Sequence, residues 1–149
     1  MPELSKDIIG RKLDPYKIKV ERCKIKEFCM AIGENNPIYL DVDEAKKAGF
    51  NDTPIPPTFQ TSFMFWGNAK FWTDLPAMGI DIERLLHMKE EYTYRQTVYP
   101  DEILTAEGEV IDVKIGKMDM VTFKTTFIGE DGKPRIDAVM GIVMRPEGS

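Results

Sequence analysis

Residues 33–59 read GENNPIYLDVDEAKKAGFNDTPIPPTF. The segment opens on Gly33, Asn35 and Asn36, residue types that turn a chain, and Pro37 bars a helix from running through them. Asp41 or Asp43 can then accept hydrogen bonds from the free amides at the start of a short helix, which Gly49 stops. Pro54, Pro56 and Pro57 impose an extended path, after which Thr58 is expected to cap a helix running to about Ala69. On that helix Phe59, Phe63 and Trp66 share one face, with Met64 and Phe65 beside it. A helix apolar on several sides has to be wrapped by other structure, here a sheet. A polar turn, a short helix and a proline-rich approach to a buried helix together can line a cleft.

Upstream, Tyr16, Ile18 and Val20 alternate with charged residues, the period of a strand with one buried face. Ile25, Phe28, Cys29 and Ile32 follow at the spacing of an amphipathic helix, and Gly33 is suited to the left-handed cap that ends it. Downstream, residues 68–84 are the least legible stretch, with Pro76 and Gly79 breaking it into turns. Strand signals then succeed one another. His87 to Val98 carries Tyr92, Tyr94 and Val98 in alternation, and Pro100-Asp101-Glu102 marks a turn. Ile103 to Ile115 is long, and its inward phase shifts from Leu104, Ala106 and Val110 to Ile111, Val113 and Ile115, which predicts a bulge near Gly108 to Ile111. Met118 to Ile128 and Arg135 to Arg145 follow, joined through the hairpin signal Asp131-Gly132. Helices first and an antiparallel meander after them give an α+β layout, with about five or six strands in one domain over residues 1–149.

Composition narrows the function. A chain of 149 residues can bury a sizeable core without metal or disulfide staples. A net charge of -5 and a pI near 5.0 argue against a nucleic-acid binder. The local basic cluster Lys17, Lys19, Arg22, Lys24 and Lys26 reads as a solvated helix face, with docking of an acidic carrier protein as the alternative. No run approaches the roughly 20 apolar residues of a membrane span, and the opening MPELSKDIIGRKLDP lacks an apolar signal core, so a cytoplasmic location is expected. Cys23 and Cys29 lack the CxxC spacing and read as buried reduced thiols. One histidine and no Cys/His cluster predict no metal site, and the chain lacks a phosphate-cradling glycine loop or nucleotide fingerprint, so no cofactor is expected.

The order of residues from Gly33 to Phe50 resembles the MaoC-like hydratase/dehydratase branch of the hot dog fold, whose active members carry G-D-x-N-P-x-H-x-D-x-x-x-A-x-x-x-G-F. Gly33, Asn36, Pro37, Asp41, Ala45, Gly49 and Phe50 stand in register with it. The proline-rich IPPTF and the later LLHMKEEYTYRQTVYPDE are similar to the amino-terminal, FAS1-like dehydratase half, including the non-catalytic subunit of (3R)-hydroxyacyl-ACP dehydratase. The resemblance implies a hot dog fold, an antiparallel sheet wrapped around a central helix, and acyl-thioester chemistry. It also implies that two such units pair, with the ligand at or near their interface.

Two positions depart from the pattern. Where active relatives place the catalytic Asp and His, this chain has Glu34 and Tyr39. Dehydration of a 3-hydroxyacyl thioester needs one group to move the α-proton, one to handle water at the β-carbon, and donors for the thioester oxygen. Tyrosine, with an ordinary pKa near about 10, is a poor base at neutral pH. A glutamate one methylene longer than aspartate also displaces the reacting atom. Glu34 and Tyr39 are thus either an altered catalytic pair or pocket-lining residues. Active relatives further carry His-Gly at the start of the central helix, with backbone amides facing the thioester oxygen. Pro57 and Thr58 stand there in this chain, leaving only the amides of Thr58 and Phe59 as donors, unless Thr58 serves as a cap.

Among other candidates, Asn36 matches the motif and could line the site, and Asp41 is explained by capping alone. His87 is the single histidine, and its neighbours Asp81, Glu83, Glu90 and Glu91 show no dyad spacing. Phe59 and Phe63 read as core, whereas Trp66, Phe71 and Trp72 suit an exposed apolar patch that receives an acyl chain or a partner. The expected function is a hydratase/dehydratase subunit that binds and orients an acyl chain carried by CoA or acyl carrier protein. A homodimeric partner, or a heterodimeric one bearing the intact Asp and His, completes it. The alternatives are a self-sufficient homodimer using Glu34 with Tyr39 or His87, and a non-enzymatic acyl-CoA-binding protein.

Overall fold

The computed structural model describes residues 2–146 and 148. Five antiparallel strands, β1 (Tyr16–Lys19), β2 (Leu85–Tyr94), β3 (Ile103–Lys114), β4 (Asp119–Ile128) and β5 (Pro134–Met144), form one sheet in the order β1-β3-β4-β5-β2. The helices are α1 (Arg22–Ile32), α2 (Val42–Lys47), α3 (Thr61–Gly67) and α4 (Phe71–Ala77), with 3-10 turns at Lys6–Ile8, Pro37–Tyr39 and Ile82–Arg84. The α+β layout is as the sequence predicts, with five strands. Both long edges of the sheet are strands of unequal kind: β1 is 4 residues long and β2 is 10.

The core divides beneath the helices. One cluster gathers Phe59 and Phe63 with Ile18, Leu104, Phe127 and Ile136. Phe63 meets Phe59, Trp66 and Phe127 with ring centroids 5.3–5.8 Å apart, largely edge to face. The second cluster sits under α4 and joins Phe71, Leu75 and Ile80 to Val121, Phe123 and Met140. Each fully buried phenylalanine contributes roughly 1.5–3 kcal/mol through the surface it removes from water. These rings fix where α3 lies, and α3 in turn fixes the site.

Local rules account for several boundaries. Gly33 ends α1 with φ of 72°, the left-handed cap that its lack of a side chain permits. Asp41, rather than Asp43, starts α2: its carboxylate accepts from the amides of Asp43 and Glu44 at 2.9 and 3.0 Å. The predicted bulge in β3 lies between Val110 and Asp112. Ile111 is the extra residue and is exposed, as is Ile115 beyond the strand, so after the bulge only Val113 of the expected trio faces inward.

Other expectations are corrected. Thr58 does not cap the central helix, which begins at Thr61 and ends at Gly67; residues 57–60 form a turn in which Thr58 has φ of 72°. Residues 68–84 are more than turns, because Phe71 and Leu75 bury one face of α4, and that burial outweighs the one intrahelical N–H bond that Pro76 forfeits in its last turn. The strand starting near His87 ends at Tyr94, and Val98 joins the core from outside the sheet. Cys29 is buried but Cys23 is exposed, and Ile32, in the last turn of α1, is exposed as well.

A second bulge was not foreseen. In β2 the pairing with β5 slips between His87 and Lys89, making Met88 the extra residue. Opposite it stands Gly141, where an added Cβ would come within 3.0 Å of Met88 Cε and 3.3 Å of Lys89 Cβ. The slip changes which side chains of β2 face α3: Leu85 and His87 before it, then Glu90, Tyr92 and Tyr94, each paired with an inward residue of β5.

Candidate functional site

The sequence-predicted residues fall into two groups at opposite ends of β2. At the Tyr94 end, a cleft of about 360 Å³ is lined by Tyr39, Phe50, Ile55, Pro57, Tyr94 and Val98, among others. The loop after α1 forms one rim. There the Glu34 carboxylate accepts the Asn36 amide at 2.7 Å, and Asn36 Oδ1 accepts the Ile38 amide at 3.2 Å. Both side chains thus fold back on their own turn. Tyr39 is half-buried; burial first and the Glu34 charge next push its phenol above the ordinary tyrosine range. It stays protonated at neutral pH and offers a donor in place of a base.

At the other rim stands the start of the central helix. The Phe59 amide is engaged by the Pro56 carbonyl at 3.1 Å, which removes one of the two donors expected for a thioester oxygen. The Thr58 amide donates to Tyr94 Oη at 3.4 Å, and Gln60 Nε2 donates to the same oxygen at 3.0 Å. Gln60 is buried and its Oε1 has no hydrogen-bond partner. Pro57 is exposed and forms part of the cleft wall, whereas Phe59 is fully buried and supports the turn from beneath.

The second group surrounds a smaller cavity of about 180 Å³, framed by α3, α4 and the sheet, with Met64, Phe65, Phe71, Trp72, His87 and Glu90 among its lining. His87 Nε2 lies 2.6 Å from Glu90 Oε2, and Tyr92 donates to Glu90 Oε1 at 2.6 Å. Thr61 Oγ1 is hydrogen-bonded to the Tyr92 hydroxyl, completing a chain from the imidazole to α3. The sequence showed no dyad because residues three apart on a regular strand face opposite ways; the bulge at Met88 brings His87 and Glu90 to one face. Burial, then the hydrogen bond donated to Glu90, push the Tyr92 phenol well above its ordinary range.

The aromatic set divides. Phe65 and Trp72 stack at 6.1 Å and are 56% and 42% exposed, and Trp66 is 37% exposed against Phe59 and Phe63. Phe71, expected in the same exposed patch, is a core residue at 7%. The basic cluster is partly neutralised: Lys19 pairs with Asp101, Arg22 with Asp52 and Lys24 with Glu27. Gln60, Thr61 and Tyr94 escaped sequence reading as site residues, and Glu90, weighed there as a neighbour of His87, lacked dyad spacing. Only Tyr94 left a signal, its two-residue spacing from Tyr92. Among the described residues no group of His, Cys, Asp and Glu could hold a metal ion, and no helix is long and apolar enough to cross a membrane.

Comparison with known proteins places this geometry. The family described as "FAS1-like, dehydratase domain region" matches residues 7–138. A UPF0336 protein of Leifsonia xyli subsp. xyli is 35% identical over 132 residues, covering 88% of this chain and 87% of that protein. Among solved structures, the C-terminally truncated HadBC (3R-hydroxyacyl-ACP dehydratase) complex of Mycobacterium tuberculosis is similar with a TM-score of 0.80 at 20% identity, over 94% of this chain and 99% of that one. The ChsH1-ChsH2 complex of the same organism gives 0.71 at 21% identity, over 93% and 92%. At these identities the structural likeness establishes a shared hot dog fold.

Proposed function

We propose, from the premise that this chain belongs to the FAS1-like dehydratase domain family, that it is a subunit of a (3R)-hydroxyacyl-thioester dehydratase or enoyl-thioester hydratase. It binds and orients the acyl group of an acyl-CoA or acyl-ACP, while a MaoC-like partner bearing an Asp and a His carries out the proton transfers. The observation that carries this reading is the state of Glu34 and Tyr39. The carboxylate is engaged by the Asn36 amide, and the phenol beside it is held protonated. An apolar-walled cleft whose nearby carboxylate is folded back onto its own turn suits binding better than proton removal.

The sheet supports a partnership. β2 pairs with β5 on one side only, and its length carries Leu86 and Met88 at 48% and 46% exposure. Such an edge invites another strand. HadBC and ChsH1-ChsH2, which share the fold, are complexes. A hot dog unit over residues 1–149, paired along β2 with a second copy or a catalytic subunit, is the assembly proposed.

One observation favours a second reading. The His87, Glu90, Tyr92 and Thr61 chain supplies an acid–base pair in this polypeptide, which would let a homodimer turn over unaided. Hydration of crotonyl-CoA by the purified chain, alone and with a MaoC-like partner carrying Asp and His, separates the two. Turnover only in the mixture is expected. Turnover by the chain alone, abolished in His87→Ala, would replace the first reading with the second; binding without turnover in either case would leave an acyl-CoA-binding protein.

A further inference from the structure

The Tyr94 hydroxyl has an unusual set of partners. A phenol oxygen can accept two hydrogen bonds and donate one. Here the Thr58 amide and Gln60 Nε2 both point at it, at 3.4 and 3.0 Å. Both donors are fixed: Gln60 is 1% exposed, and Thr58 holds a φ of 72° that a β-branched residue rarely adopts. The side chain they hold is itself 53% exposed and forms part of the cleft wall, across from Tyr39. With its acceptor capacity filled, Tyr94 has one capability left, donation of its own proton.

We propose that Tyr94, held by Thr58 and Gln60, is the group that grips the carbonyl oxygen of a thioester bound in this cleft. The assignment rests on the acyl-thioester reading above and names the atom that contacts the ligand. The ligand atom must be an acceptor, since nothing at Tyr94 can receive a hydrogen bond. It is also neutral rather than anionic. The Glu34 charge lies close enough to perturb Tyr39 on the facing rim, and Arg95, the cation at the cleft, is neutralised by Asp137 at 2.7 Å. Two donors feeding one hydroxyl polarise it and strengthen the bond it gives. The turn at residues 57–60 thus serves the carbonyl through a phenol, replacing the direct backbone contact that the Phe59 amide, bonded to Pro56, no longer offers.

The test compares two probes on the full chain and on Tyr94→Phe: crotonyl-CoA, and S-butyl-CoA, a thioether without the carbonyl. The expected result is that Tyr94→Phe binds crotonyl-CoA roughly fivefold more weakly, the size of one neutral hydrogen bond, and S-butyl-CoA unchanged. Isotope-edited infrared spectra of bound crotonyl-CoA should show the carbonyl band at lower frequency in the wild type, reverting in the variant. Equal binding of both probes by both proteins, or equal weakening of both with no change in the band, would overturn the role of Tyr94 alone. A wild type that binds neither probe would overturn the thioester reading and this assignment with it.

Discussion

The two ends of β2 face the same helix and are built from opposite chemistry. At Tyr94 the groups are neutral and donor-rich: a backbone amide, a buried carboxamide and a phenol, opening on a cleft. At His87 they are titratable, an imidazole on a carboxylate that also receives a phenol, closing over an apolar cavity. In the roles proposed above, the first end holds a polarised oxygen and the second, in the homodimer reading, moves a proton. Under the proposed function a partner's Asp and His take the proton transfers; under the second reading the His87 end of this same chain takes them.

The largest effect should come from removing the floor of one end. Phe59 is fully buried directly beneath Thr58 and Gln60, so Phe59→Ala should lower stability by about 3–5 kcal/mol in urea unfolding. The Tyr94 end should loosen, while the His87 ring resonance in the folded protein holds its position; joint movement of both would show that the ends are one unit.

A smaller effect distinguishes the titratable end by pH. The Tyr92 phenol is raised by burial and by its bond to Glu90, so its folded value lies above the unfolded one near about 10. Its stabilisation is therefore complete below that pH and is lost as pH rises above it. Tyr92→Phe should flatten the alkaline fall in melting temperature. It should also remove one of three late-ionising phenols from the absorbance titration, leaving those of Tyr16 and Tyr39, which burial raises too. An unaltered alkaline limb would mean that Tyr92 is not what holds this end shut.

The smallest effect belongs to the strained turn. Thr58→Gly relieves a positive φ and adds unfolded-state freedom, which oppose one another, so a gain of at most about 1 kcal/mol is expected. A loss would mean that the threonine side chain, and not the backbone conformation, maintains the Tyr94 end.

Much of the fold could be read from local rules. Period-two alternation marked β3, β4 and β5, the spacing from Ile25 marked α1, and a carboxylate at Asp41 marked the start of α2. Each of these signals is short-range and was read where it acts. α4 was hidden because Pro76 and Gly79 signal turns, while the burial of Phe71 and Leu75 that overrides them is a tertiary effect. The site was legible at its rims, Glu34, Tyr39 and Pro57, through resemblance to a motif. Its working contacts were not. Tyr94 meets Thr58 and Gln60 across more than thirty residues of chain, and His87 meets Glu90 through a register slip with no composition of its own.

That slip has a dependence far from the cavity. Gly141, on the neighbouring strand, leaves the gap into which Met88 and Lys89 settle. A side chain there would press on the Met88 methyl and on Lys89, against the extra residue; were the pairing to become regular, β2 upstream of it would turn over by one position. The only imidazole in the chain would then point away from its carboxylate. A bare position on one strand thus makes room for the slip that turns the histidine of the next strand toward its carboxylate.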